Sequence, residues 1–202
     1  MNMEHYFTPK PQAQRDPLLF TVELFQREFK FRTDTGVFSR TEIDPGTLLL
    51  ISVLPVKPGD RVLDLGCGYG PIGIAAAYLA GPAGFVDMID INERAVELAR
   101  ANAALNGLTN VRAWQSDGFS AVDGTYDWIV TNPPIRAGKK VIYPMVEKAY
   151  GHLNPGGGML VVIRTKQGAK SMEKKMESVF GNVETVKIKQ GYRVLKSVRP
   201  PV

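Results

Sequence analysis

Arg61-Val-Leu-Asp-Leu-Gly-Cys-Gly-Tyr-Gly-Pro-Ile-Gly-Ile-Ala-Ala76 decides the fold. Val62, Leu63 and Leu65 suit a strand buried on both faces, and the apolar run then breaks into glycines at 66, 68, 70 and 73. Glycines let the backbone approach a ligand or take a positive φ. Pro71 fits the first turn of a helix, where its missing N–H costs nothing. The stretch therefore reads strand, tight loop, helix. The helix start carries unpaired N–H groups and a partial positive charge, a place for a phosphate or for the carboxylate of a cofactor.

Toward the C-terminus the pattern repeats. Phe85 to Ile91 reads as a second strand closing on Asp90, and Asn92 caps a helix with Ala95, Leu98, Ala99, Asn102 and Leu105 on one face. Val111 to Gln115 is a third strand leading to Asp117, and Tyr126 to Val130 a fourth leading to Asn132-Pro133-Pro134-Ile135. A helix with Ile142, Val146, Ala149 and Leu153 at helical spacing is stopped by Asn154-Pro155 and three glycines. Met159 to Ile163 is a fifth strand, and the next helix shows Ala169, Met172, Met176 and Phe180. Two last strands, 183–188 and 193–198, leave no room for a helix at Lys189-Gln190-Gly191 between them, so they pair antiparallel. This alternation predicts an α/β fold with a doubly wound, mostly parallel sheet of seven strands, the last antiparallel, and ligands beyond the carboxyl ends of the strands.

Toward the N-terminus, residues 1–17 are polar and marked by Pro9, Pro11 and Pro17, an extended arm. Alternation over Leu18 to Phe31 predicts a small antiparallel pair; Thr35 to Ser39 is a loop, and Asp44-Pro45-Gly46-Thr47 a capped helix start. Residues 1–45 thus read as arm, strand pair and lid-like loop, and 46–202 as the main domain, together one unit.

The bulk numbers agree with one α/β domain: 202 residues, 44% of them apolar, no apolar run near ~18 residues, and no basic-then-apolar leader pattern. The expectation is a soluble, unexported protein without a membrane partner. The single cysteine, Cys67, rules out an internal disulfide and a cysteine-cluster zinc site. His5 and His152 are too isolated to form a ligand set, so no metal is expected. The net charge of +5 is uneven: from Arg164 onward there are ten Lys/Arg against three Asp/Glu, elsewhere fifteen against seventeen. A local cationic face fits a polyanion such as RNA, and equally fits a solvated lysine-rich helix.

Four polar signals fall at the strand ends: the glycine loop, Asp90, Asp117 and Asn132-Pro-Pro. An acid closing the second strand suits ribose hydroxyls, and an Asp after the third can read an adenine edge, so together they describe an adenosine-bearing cofactor. Two cofactors compete. Gly68-Tyr-Gly-Pro-Ile-Gly73 matches the dinucleotide fingerprint, and Asp90 lies near the ~20-residue spacing of a nicotinamide enzyme. Asp64, however, would repel a pyrophosphate, whereas it can receive the ammonium of S-adenosylmethionine.

Val62-Leu-Asp-Leu-Gly-Cys-Gly-Tyr-Gly-Pro-Ile-Gly73 resembles the first motif of the class I S-adenosylmethionine-dependent methyltransferases, and Asp90, Asp117 and Asn132-Pro-Pro-Ile follow in that family's order. The Asn-Pro-Pro form marks the branch that methylates amino groups. Glu4 to Pro9, Gly36 to Ser39, Asp44 to Thr47 and Lys166 to Gly168 are similar to segments of the "methyltransferase small" domain of ribosomal RNA guanine-N(2) methyltransferases. The resemblance implies S-adenosyl-L-methionine held by Thr47, Asp64, Gly66, Cys67, Gly68, Gly70, Asp90, Ile91, Asp117, Gly118 and Asn132. It implies catalysis at Asn132, Pro133, Pro134 and Ile135, and a cytoplasmic enzyme acting on guanine-N(2) of 16S ribosomal RNA. Many relatives carry an aromatic residue where this chain has Ile135, so Phe38 is the candidate for stacking on the base, with Arg136, Lys139 and Lys140 for phosphates. The rivals are glutamine or adenine amino-group methylation, a nicotinamide oxidoreductase, and a non-catalytic RNA-binding module with a vestigial cofactor site.

Overall fold

The computed structural model describes residues 8–11 and 14–201; Glu4 to Phe7, including His5, lie outside them. A two-stranded hairpin, β1 (Leu18–Leu24) and β2 (Arg27–Thr33), precedes α1 (Pro45–Ile51). Then follow β3 (Arg61–Leu65), α2 (Pro71–Ala80), β4 (Phe85–Asp90), α3 (Glu93–Leu105), β5 (Val111–Gln115) and β6 (Tyr126–Thr131). The chain closes with α4 (Lys139–Gly151), β7 (Leu153–Arg164), α5 (Ala169–Phe180), β8 (Glu184–Lys189) and β9 (Tyr192–Val198). The main sheet has seven strands in the order β5-β4-β3-β6-β7-β9-β8, with β9 antiparallel to both neighbours.

The order reverses between β3 and β6, which opens a crevice at their carboxyl ends. Thr131 Oγ1 ties the two strand ends together by donating to the Leu65 carbonyl at 2.7 Å. One apolar cluster, including Ile74, Ala75, Val86 and Ala99, lies under α1, α2 and α3; another, including Ile129, Val146, Met172 and Phe180, lies under α4 and α5. Each sheet face is thus covered, which is why these strands read as near-continuous apolar runs.

β7 begins earlier than the sequence pattern predicts. Leu153, read as the last residue of a helical stripe, belongs to this strand and pairs with Tyr126, and the register shifts between Tyr126 and Trp128. The glycines allow this extension: a Cβ at Gly158 would meet the Trp128 ring at 2.6 Å and the Ser197 carbonyl at 2.9 Å.

The hairpin is held by a device no periodicity reveals. Asn102 Oδ1 accepts the Arg32 N–H (2.7 Å) and its Nδ2 donates to the Arg32 carbonyl (2.8 Å). Asn106 does the same for Lys30, at 3.0 and 2.8 Å. Four residues of helix advance about 6 Å and two of strand about 6.6 Å, so two asparagines one turn apart can stand in for a neighbouring strand. Asn102 also donates to the Tyr69 carbonyl at 2.9 Å, coupling the hairpin to the glycine loop.

Candidate active site

A cavity of about 680 Å³ lies across the crevice, within the usual range for a ligand pocket. Its floor is the loop after β3. Gly66 and Gly68 line it with φ of 75° and 57°, and a Cβ on either would meet nothing within 4 Å, so the space that side chains would fill belongs to the cavity. Gly70 and Gly73 do a different job. Gly70 caps α2 where a Cβ would press on Ala99 at 3.3 Å, and a Cβ at Gly73 would strike Met88 at 2.5 Å. Neither lines the cavity.

Asp90 does line it, with Oδ2 accepting the Gly68 N–H (2.8 Å) and Oδ1 the Asn92 N–H (2.9 Å). Burial raises its pKa against the opposing pull of these N–H groups. Ile91, Asp117, Gly118, Asn132, Pro133 and Pro134 share the wall, as do Thr47, Cys67 and Phe38. The Cys67 thiol is pushed well up by burial and then by the charges of Asp90 and Asp64, so it forms a neutral wall and not a nucleophile.

Asp64 sits behind the loop, fully buried. Its Oδ2 accepts the Gly73 N–H at 2.8 Å, while Oδ1 has no partner among the described residues. Burial is the main cause that lifts its carboxyl to about 7, with the Asp90 charge adding to it. A buried acid with an unsatisfied oxygen is costly, and Asp64, expected among the cofactor-holding residues, is absent from the cavity wall.

Of the remaining expected residues, Ile135 packs against the second apolar cluster from a 3-10 turn and is absent from the cavity wall. Arg136 and Lys139 are exposed and also absent from it, whereas Lys140 and Lys148 line it. The lid-like loop is present over the cavity as Val37, Phe38 and Ser39. It is fixed by Asn92 Nδ2 donating to the Gly36 carbonyl (2.9 Å) and by Arg94 donating to the Thr35 carbonyl (2.8 Å). Ser116 and Lys148 are wall residues that the motifs did not point to, whereas Asp44, also on the wall, lay in the family-like segment Asp44 to Thr47 and had a local signal as a helix cap.

Asn132 is held on one side. Its Nδ2 donates to Asp44 Oδ2 (3.2 Å) and to Thr47 Oγ1 (3.0 Å), which uses both amide hydrogens. Among the described residues nothing donates to Asn132 Oδ1 or to the Pro133 carbonyl. The arrangement can hold an adenosine-bearing cofactor over the glycine loop and present two acceptors to a planar amine beside it. No group of His, Cys, Asp and Glu that could bind a metal occurs among the described residues.

A sheet in this order, carrying a glycine loop, strand-end acids and an Asn-Pro-Pro turn around one cavity, defines the Rossmann-like methyltransferase fold. The model of the methyltransferase small domain matches residues 28–196, and the chain belongs to that family. It is 46% identical to the uncharacterized protein YbxB of Bacillus subtilis (strain 168), over 96% of this chain and 98% of that one. It is 41% identical over 131 residues to the ribosomal RNA small subunit methyltransferase C of Aeromonas hydrophila, covering 63% of this chain and 37% of the relative. The corresponding Vibrio parahaemolyticus protein is 35% identical over 88% of this chain and 52% of its own length. The chain thus spans about half or less of these curated methyltransferases. Among solved structures, the Thermus thermophilus 16S rRNA N2 methyltransferase RsmC, in complex with AdoMet and guanosine, superposes with a TM-score of 0.82 at 29% identity. It covers 94% of this chain and 52% of that one. No helix among the described residues is long and apolar enough to cross a membrane.

Proposed function

We propose that the chain transfers a methyl group from S-adenosylmethionine to an exocyclic amino group of a base in RNA, guanine-N(2) of small-subunit ribosomal RNA. The observation that carries this reading is the asymmetry at Asn132, whose amide nitrogen is fully occupied while its oxygen and the adjacent Pro133 carbonyl are left without donors. The likeness to RsmC, whose structure holds AdoMet and guanosine, supports the substrate class.

The residues fit the cofactor. Gly66 and Gly68 leave open space above the loop, and Asp90 and Asp117 lie on the cavity wall at the next strand ends. When bound, the cofactor supplies an electrophilic methyl on a sulfonium. Asn132 Oδ1 and the Pro133 carbonyl accept the two N–H bonds of the target amine, drawing its lone pair out of conjugation with the ring. Pro133 and Pro134 keep those acceptors rigid. Methyl transfer would leave positive charge on the target nitrogen, which the two acceptors would stabilise until its proton is lost to water. No general base is demanded, and Phe38, which lines the cavity from the lid loop, is the candidate to stack on the base.

The test is mass mapping of methylated nucleotides in small-subunit ribosomal RNA incubated with the protein and S-adenosylmethionine, alongside calorimetry with S-adenosylhomocysteine and NADH. A new N(2)-methylguanine and binding of S-adenosylhomocysteine alone are expected. Binding of NADH alone, or methylation of a protein glutamine with none in RNA, overturns the reading.

A further inference from the structure

We infer that Asp44 is the positioning residue for the amino-group chemistry: its carboxylate fixes which end of the Asn132 amide meets the substrate and sets a negative charge directly behind it. The inference rests on the functional reading above and deepens it at the same site.

Asp44 begins α1, and as a helix cap it needs only one bond, from the Thr47 N–H to Oδ2 at 3.0 Å. It makes two more, each to a distant segment. Oδ2 also accepts Asn132 Nδ2 at 3.2 Å, and Oδ1 accepts the Tyr192 hydroxyl at 3.1 Å from the start of β9. The surroundings are built for this. A Cβ at Gly46 would meet the Tyr192 ring at 2.6 Å and Asp44 Oδ2 at 2.9 Å, so only glycine lets the ring close over the carboxylate. The Arg164 guanidinium lies over that ring, 4.9 Å from its centroid.

A carboxylate only accepts hydrogen bonds, so rotating the Asn132 amide by a half turn would set oxygen against oxygen. Thr47 Oγ1 takes the second amide hydrogen at 3.0 Å, and the amide oxygen is then the group left for a ligand. The second consequence is electrostatic. Asp44 is only 8% exposed yet lines the cavity, so its charge is weakly screened there. The target nitrogen becomes positive only during methyl transfer; a negative charge behind its acceptor therefore favours the transition state over the ground state.

Two measurements on the full chain test this. In the first, Asp44→Asn keeps an oxygen for the Thr47 N–H and nearly the same volume. Melting temperature, S-adenosylhomocysteine affinity and KM for RNA should hold, while kcat falls by roughly 10- to 100-fold. Transfer by Asp44→Asn at the wild-type rate overturns the proposal, since a pure helix cap would survive that exchange. The second reading is independent of turnover. The Asn132 side-chain amide protons, assigned by their loss in Asn132→Ala, should exchange with solvent at least ~10-fold more slowly in wild type than those of an exposed asparagine, and lose that protection in Asp44→Ala. Unprotected Asn132 protons in the wild-type protein also overturn the proposal, even if Asp44→Asn fails to fold. A wild-type protein that methylates no RNA amine while its Asn132 protons are protected instead refutes the functional reading and the electrostatic role of Asp44 with it.

Discussion

Asn132 and Asp64 illustrate two opposite settings for a polar atom without a partner, one held at the cavity wall with its acceptor free and one fully buried under a glycine loop. In Asn132→Ala the target amine loses one acceptor and stays conjugated with its ring. Single-turnover methyl transfer should fall on the order of 10²–10³, the scale of a lost transition-state hydrogen bond, with cofactor affinity nearly intact. Asp44 keeps its bonds from Thr47 and Tyr192 in that variant, so the melting temperature should drop only slightly. A variant that binds cofactor and transfers methyl normally would remove Asn132 from the chemistry. Asp64 carries a pH signature. Its carboxyl is raised to about 7 in the folded chain, against about 4 when unfolded. Below about pH 4 both states are protonated; between about 4 and 7 the unfolded chain releases a proton that the folded one retains, so folding stability declines as pH rises, and levels off above. Replacing Asp64 by Asn removes the decline. Urea unfolding at pH 5 and pH 8 should find the advantage of Asp64→Asn growing with pH, by on the order of 2–4 kcal/mol across the window. An advantage independent of pH would mean that Asp64 ionises as an ordinary carboxylate.

At the scale of elements, the hairpin turn is the least expected feature. Phe25 and Gln26 form a two-residue connection with φ of 54° and 60°, a geometry normally left to Asn-Gly or Gly-Gly. Phe25 has a reason to be there, since its ring stacks on Tyr78 of α2 with centroids 5.8 Å apart. Gln26 has no ring contact of that kind, so Gln26→Gly should relieve the left-handed backbone and raise stability by roughly 0.5–1 kcal/mol, read from the denaturation midpoint. A loss of stability would show that the Gln26 side chain anchors the turn. Alternation alone made the two strands visible, because Phe29 and Phe31 face the core while Glu28, Lys30 and Arg32 do not. What covers their backbone was not visible: Asn102 reads as a member of the helix face and Asn106 as the residue that ends the helix until the partner edge is known.

For the whole molecule, the distribution of charge is the property most open to experiment. The basic excess after Arg164 is spread over α5, β8 and β9, and on α5 the lysines are not equivalent. Lys175 is paired with Glu147 and lies over the Tyr143 ring, whereas Lys170 and Lys174 are exposed. If this face contacts RNA phosphates, affinity should fall steeply with salt. The Lys170→Gln, Lys174→Gln double variant should then lower the slope of log K against log salt by about 1.4 for single-stranded contacts. An unchanged slope would assign α5 a solvated role. Lys140 and Lys148, on the cavity wall, would then be the next cations to test.

The amino-acid sequence by itself determined the layered sheet, the crevice at the carboxyl ends and the four strand-end signals. The reason is that burial on both faces forces long apolar runs, and glycine, proline and acidic residues mark each point where a run must stop. Gly66, Gly68, Asp90, Asp117 and Asn132-Pro133 were legible because each sits at such a point. Only the tertiary structure decided that Gly70 and Gly73 serve helix packing, that Leu153 starts a strand, and that Ile135 turns toward the core. It also decided that Asp44, Asn132 and Tyr192, separated by 88 residues and by 148, share one carboxylate. Contacts of that kind have no period and no spacing: they arise when a helix from one end of the chain and an antiparallel strand from the other close on the same crevice.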